Sequence, residues 1–113
     1  KMNDKKMMSQ QEIEQISVKY KTAMQRGDYK EILKLNQKIY ESEYICYDFL
    51  LRYRKLWEKG KSDIVKMFNE SAYSVEIERI DLRLKHIFRN LENLAEVSKY
   101  IGNLLFDEGG NER

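Results

Sequence analysis

The residues able to do chemistry are few and scattered. His86 is the one histidine and Cys46 the one cysteine among 113 residues. A metal site needs several His, Cys or carboxylate groups converging on one point, and a nucleophilic cysteine needs an adjacent base. His86 falls on the outward side of its helical pattern, three residues from both Arg83 and Arg89. Cys46 falls on an apolar line, where a small buried thiol is the ordinary occupant. Glu76, Glu78 and Asp81 crowd into one short stretch, but each has basic neighbours and reads as a solvated surface charge. Glycine loops that cradle phosphates or dinucleotides are absent. The expectation is a protein that is not an enzyme and uses no metal or cofactor.

Binding chemistry has more to stand on. Between Arg52 and Lys66, six cations (Arg52, Arg54, Lys55, Lys59, Lys61 and Lys66) face only Glu58 and Asp63. The net charge of the whole chain is +2, so the surplus of four in this stretch leaves the remainder acidic. Tyr53 and Trp57 are interleaved with the cations. Basic side chains with aromatics between them can hold phosphates and stacked bases. Arg52, Lys55, Lys59 and Lys61 are therefore candidate phosphate contacts, although a helix C-terminus also favours cations through its dipole.

These residues must be carried by helices. Charged residues make up 35% of the chain, there is no proline, and glycines number five. Ile77, Ile80, Leu84, Ile87, Leu91, Leu94, Ser98, Ile101 and Leu105 recur at alternating steps of three and four, with one polar member. Only an α-helix brings such positions onto one line. The spacing predicts a helix from Tyr73 to Phe106, roughly 50 Å long at ~1.5 Å per residue. Ahead of it, Ser9 and Glu12 read as a capping box opening a first helix that ends near Arg26. Ile13, Ile16, Tyr20 and Ala23 form the apolar line of that helix. Gly27 suits a left-handed helix terminus, and Asp28 with Glu31 forms a second capping box. The second helix, Tyr29 to about Glu58, carries a seam of Ile32, Leu35, Ile39, Ser42, Cys46, Phe49, Tyr53 and Leu56. It also carries a second stripe of Leu33, Tyr40, Tyr44, Tyr47 and Leu51. Two apolar faces predict a helix sandwiched between neighbours. Gly60 closes it, Ser62 reads as the next cap, and 63–69 is long enough for a short helix.

The expected fold is therefore all-α: an elongated, coiled-coil-like antiparallel bundle of three long helices plus one short helix. It forms a single domain over 9–106, between a mobile tail at 1–8 and an acidic tail at 107–113. No apolar run approaches the ~18 residues a membrane span requires, and no signal peptide is legible. The lone cysteine fits a reducing compartment, so the cytoplasm is expected.

Short resemblances accompany these patterns. The hairpin of Tyr20, Ala23, Gly27, Asp28, Tyr29 and Ile32 is similar to a tetratricopeptide unit. Ile32 stands where that pattern has alanine, and no second copy follows. Ile80, Asp81, Leu84, Ile87, Leu94 and Ala95 resemble the first helix of the small helical chorismate mutases. Leu91 replaces the arginine that family places midway, and the expected lysine falls near Gly102. Without cations for a dicarboxylate, that reaction has no catalyst. The early Gly27-Asp28 turn before long helices is similar in form to flagellar and type III export chaperones.

Helix lengths suggest where a partner would sit. The first helix, about 17 residues, reaches roughly to Cys46 on the second and leaves the far half as a two-helix prong. Tyr47, Leu51, Arg54 and Trp57 lie there and are the candidate partner-binding residues. Aromatic and arginine side chains most often dominate interface energy. The expected function is a small cytosolic adaptor, inhibitor or chaperone-like module. It would bind another protein, or itself as a homodimer, through an apolar and aromatic helix face. Nucleic-acid binding at 52–66 is the alternative. Leaving that face open requires that Ile64 to Phe68 does not fold back over it.

Overall fold

The computed structural model describes residues 7–111; the remainder of both expected tails lies outside the described residues. Four helices follow in order: α1 (Gln10–Arg26), α2 (Tyr29–Lys59), α3 (Lys61–Met67) and α4 (Glu70–Asn111). No strand occurs among the described residues. The molecule measures 68 × 29 × 26 Å with a radius of gyration of 19.3 Å, against about 13 Å for a compact domain of this length. α4 sets the long dimension, since its 42 residues span about 63 Å.

Local signals place the helix ends. Ser9 Oγ accepts from the Glu12 N–H at 3.2 Å while Glu12 accepts from the Ser9 N–H at 2.8 Å, completing the capping box. Gly27 sits at φ 67°, a left-handed conformation that costs a side-chain-bearing residue energy. Asp28 then caps α2 by accepting from the Glu31 N–H. α2 is the middle of the stack, packing on α1, α3 and α4.

Three expected boundaries move. Ser62 does not cap α3; it lies inside that helix, whose N-cap is Gly60 with no side-chain cap bond. Gly60 keeps a right-handed backbone, φ −91°, so α3 begins one residue after α2 ends. The long helix starts at Glu70 because Asn69 Oδ1 accepts from the Ala72 N–H at 2.7 Å. It also runs through Asp107 to Asn111, where an acidic tail was expected. Each added residue gains a backbone bond in a helix already nucleated, which outweighs about 1 kcal/mol for each of Gly109 and Gly110. The N-terminal side is tied down as well, since the Met8 N–H donates to Ser42 Oγ at 3.1 Å.

The core follows the long seam. Ile80, Leu84, Ile87, Leu91 and Ile101 are buried, and Ile77, Leu94, Ser98 and Leu105 are half-buried. Ala23, Ile32 and Ile101 join α1, α2 and α4 in one cluster. Beside it sits the one buried polar side chain among the described residues, Asn36, 1% exposed. Tyr20 Oη donates to Asn36 Oδ1 at 2.8 Å, and Asn36 Nδ2 donates to Ser98 Oγ at 3.2 Å. The polar member of the long seam is thus an acceptor for a second-helix amide.

Two substitutions test this core. Leu91→Asp buries an unpaired charge and should cost at least about 3 kcal/mol, read as loss of the cooperative thermal transition in circular dichroism. Asn36→Ala strands Tyr20 and Ser98 and should cost about 1–3 kcal/mol. Converting all three together (Asn36→Leu, Tyr20→Phe, Ser98→Ala) should recover most of that loss in urea melts.

Candidate interaction surface

The side of α2 that faces α1 carries Leu35, Ile39 and Ser42, and α1 begins level with Ser42, where Met8 is anchored. Beyond that point the same line continues past the reach of α1 as Cys46, Phe49, Tyr53 and Leu56, of which Cys46 and Tyr53 are half-buried. Phe49 is 58% exposed and Leu56 66% exposed. Both were expected on the packed seam. A strict three–four repeat drifts ~20° per heptad on a straight helix, and over 31 residues the contact with α4 moves to other positions. Leu50, Arg54 and Trp57 are half-buried in its place.

Aromatic side chains link the open face to the tip. Phe49 stacks on Tyr53, with centroids 6.1 Å apart and planes 9° apart. Tyr53 meets Trp57 edge-on at 6.2 Å, and Trp57 meets Tyr73 of α4 at 6.0 Å. Lys61 Nζ lies 5.1 Å from the Tyr73 ring centre and 3.7 Å from Glu70. α3 packs against α2 and α4 with Ile64 and Val65 half-buried and Met67 and Phe68 exposed. It leaves Phe49, Leu51 and Leu56 open.

The four candidate partner-binding residues therefore divide. Tyr47 leans on Phe88 of α4, centroids 6.2 Å apart. Trp57 joins the ladder to Tyr73, and Arg54 bridges the helices. These three hold α4 in place, whereas Leu51 is exposed. The second stripe is not fully sandwiched: Tyr40 and Tyr44 are also exposed.

The cations divide similarly. Arg54 grips Asp81 with two bonds, Nε–Oδ1 at 2.6 Å and Nη2–Oδ2 at 3.2 Å, and also binds Glu58. Arg52 pairs with Asp48 at 3.1 Å. Arg52, Lys55 and Lys59 are all exposed and follow one another along the outer side of α2. Lys61 is held apart, at Tyr73.

Potential catalytic groups stay separate. Cys46 is half-buried and its Sγ accepts from Arg83 Nη2 at 3.8 Å. His86 is exposed, and Glu76 pairs with Arg79 at 3.0 Å. No group of three or more His, Cys, Asp or Glu is placed to hold a metal among the described residues. No helix among them is long and apolar enough to cross a membrane. The chain matches no family model, no curated protein and no solved structure.

Hydrogen bonds from Arg54 hold the Asp81 carboxyl below the usual carboxylate range, with attraction between the charges adding to them and partial burial opposing. Bonds to Asp81 push the guanidinium further up, so it stays charged at any accessible pH. A carboxylate with a depressed folded-state pKa adds stability that is complete above its unfolded value, ~3.9. That stability is lost as pH falls through the lower folded value. Asp81→Asn should cost about 0.5–1 kcal/mol at pH 7, an exposed pair being weak. Urea melts of the two proteins should begin to converge below about pH 4 and draw together as pH passes the depressed folded value. A gap that does not narrow at all as pH falls from about 5 to about 2.5 would show that the pair acts through shape rather than charge.

Proposed function

We propose that this protein is a helical protein–protein interaction module, adaptor-like or chaperone-like and cytoplasmic, that takes a partner on the open face of α2. The observation that carries the reading is the run of Phe49, Tyr53 and Leu56 beyond the end of α1, with Phe49 and Leu56 more than half exposed. A fully apolar side chain left exposed on a line that is buried at Leu35 marks a protein-binding patch. Partner helices are commonly received by apolar side chains at such spacing. Tyr47, Arg54 and Trp57 stiffen the support behind the face through Phe88, Asp81 and Tyr73. Leu51 extends the open surface on the other flank. The role is recognition, not catalysis, and the single free thiol suits a reducing compartment.

A nucleic-acid role at the basic end has narrower support, since Arg54 and Lys61 already serve acids within the chain. Oligonucleotide binding that survives Phe49→Ser but is lost when Arg52, Lys55 and Lys59 are reversed would favour it.

The main reading is checked on one pair of substitutions. Phe49→Ser with Leu56→Ser should melt within about 3 °C of the wild type, because surface changes cost at most about 0.5 kcal/mol. Benzoylphenylalanine introduced at Leu56 should give discrete photo-adducts in cells, and the same group at Lys30 none. A fall of ten degrees or more in melting temperature, about 2 kcal/mol, would make the face core. Absence of any adduct would make it idle.

A further inference from the structure

The open face of α2 carries its own complement. Glu41, Asp48, Arg52 and Lys59 are spaced at seven, four and seven residues, so they share one row along the helix. The row reads acid, acid, base, base, with exposed Lys55 adding a third cation to the basic half. It borders the apolar line of Ile45, Phe49 and Leu56. Read backwards, it becomes base, base, acid, acid. In an antiparallel pair of identical helices, matching flanks lie side by side, and charges on those flanks set orientation and partner choice.

We propose that a second copy of this chain occupies the face, antiparallel, with the two-fold axis passing beside Leu50. This deepens the interaction reading above and rests on it. At that register Glu41 faces Lys59 of the second copy, and Asp48 faces its Arg52; the two-fold repeats both pairings. The same axis brings Phe49 against the other Phe49. It sets Leu56 beside Ile45 of the second copy, and Tyr53 beside its Cys46. The apolar pairings centre within about one residue of the axis that the charge row sets. A parallel arrangement in register would stack acid on acid and base on base, which is disfavoured.

Within one chain Arg52 turns to Asp48 at 3.1 Å, with side chains 78% and 45% exposed. Such an exposed pair is weak, so exchanging it for the pairing between copies meets little resistance. The face lies clear of α1, which begins level with Ser42. Each copy would supply the helix that its partner's prong lacks, in the self-matching contact of a two-fold dimer.

Charge exchange tests the register. Variant A carries Glu41→Lys and Asp48→Arg, making its row wholly basic. Variant B carries Arg52→Asp, Lys55→Glu and Lys59→Glu, making its row wholly acidic. Light scattering during size-exclusion chromatography should give the wild type twice the 13.7 kDa chain mass. A and B alone should dissociate with Kd raised tenfold or more, and an equimolar mixture should return to the dimer mass. Phe49→Ser should give the single-chain mass while keeping the wild-type circular dichroism. A wild type that stays at the single-chain mass up to about 0.5 mM, a range that captures even weak association, overturns the proposal. A dimeric wild type whose A and B mixture fails to reassociate overturns it equally. The photo-adduct at Leu56 separates the two levels. With a single-chain wild type, an adduct to a different protein retains the interaction reading, and no adduct removes both.

Discussion

The arrangement of the three long helices depends on one buried amide. Apolar packing is non-directional and permits α1 to slide along α2 with little change in buried area. Asn36 does not permit that. Its carbonyl oxygen is met by Tyr20 from α1, and its amide nitrogen reaches Ser98 on α4. A slip of one turn in either helix would leave a desolvated polar group unpaired, at a cost of about 1–3 kcal/mol. A single core asparagine that fixes register is a recognised use of buried polarity in helical assemblies.

From that anchor the unequal helix lengths have consequences. α1 has 17 residues, α2 has 31 and α4 has 42. With Tyr20 fixed opposite Asn36, α1 begins level with Ser42 and cannot reach the second half of α2. The far half must be held by other means. Those are rings and one forked ion pair: Tyr47 on Phe88, Trp57 on Tyr73, and Arg54 on Asp81. Each connects α2 to α4 and none faces the side vacated by α1. Phe49 and Leu56 are left over by this geometry, not by any weakness of the helix that carries them.

Much of this was legible beforehand. The nine-position seam of α4 is buried or half-buried throughout, because a long apolar repeat leaves a helix few alternatives. The Ser9 box and Gly27 worked for the same reason: their signals are local. The second helix was harder. Its sequence offers two apolar lines, and the strict three–four spacing of the one ending in Phe49 and Leu56 reads as a packed seam. Helix lengths point to an open stretch at Tyr47 and Leu51, but the side that α1 covers and then abandons is the seam itself. Asn36 carries no local signal, because its partners lie 16 and 62 residues away and no short pattern joins them. Ser98 was the available clue, a polar residue in a row of aliphatics.

The prong has two open flanks, and their chemistry separates them. Tyr40 and Tyr44 lie on one side with Leu51, and a tyrosine at a wet surface is at ease, its ring on the helix and its hydroxyl in water. Such a flank needs no cover. Phe49 and Leu56 have no polar atom to offer the solvent, and each uncovered carbon forfeits about 25 cal/mol per Å² relative to burial. The charged row Glu41, Asp48, Arg52 and Lys59 borders Phe49 and Leu56. Burial supplies the drive on that side while the order of charges supplies direction. A face with drive alone would accept any greasy helix; the alternation of sign rejects most of them. The two requirements meet on α2 because the anchored α1 stops short of Cys46.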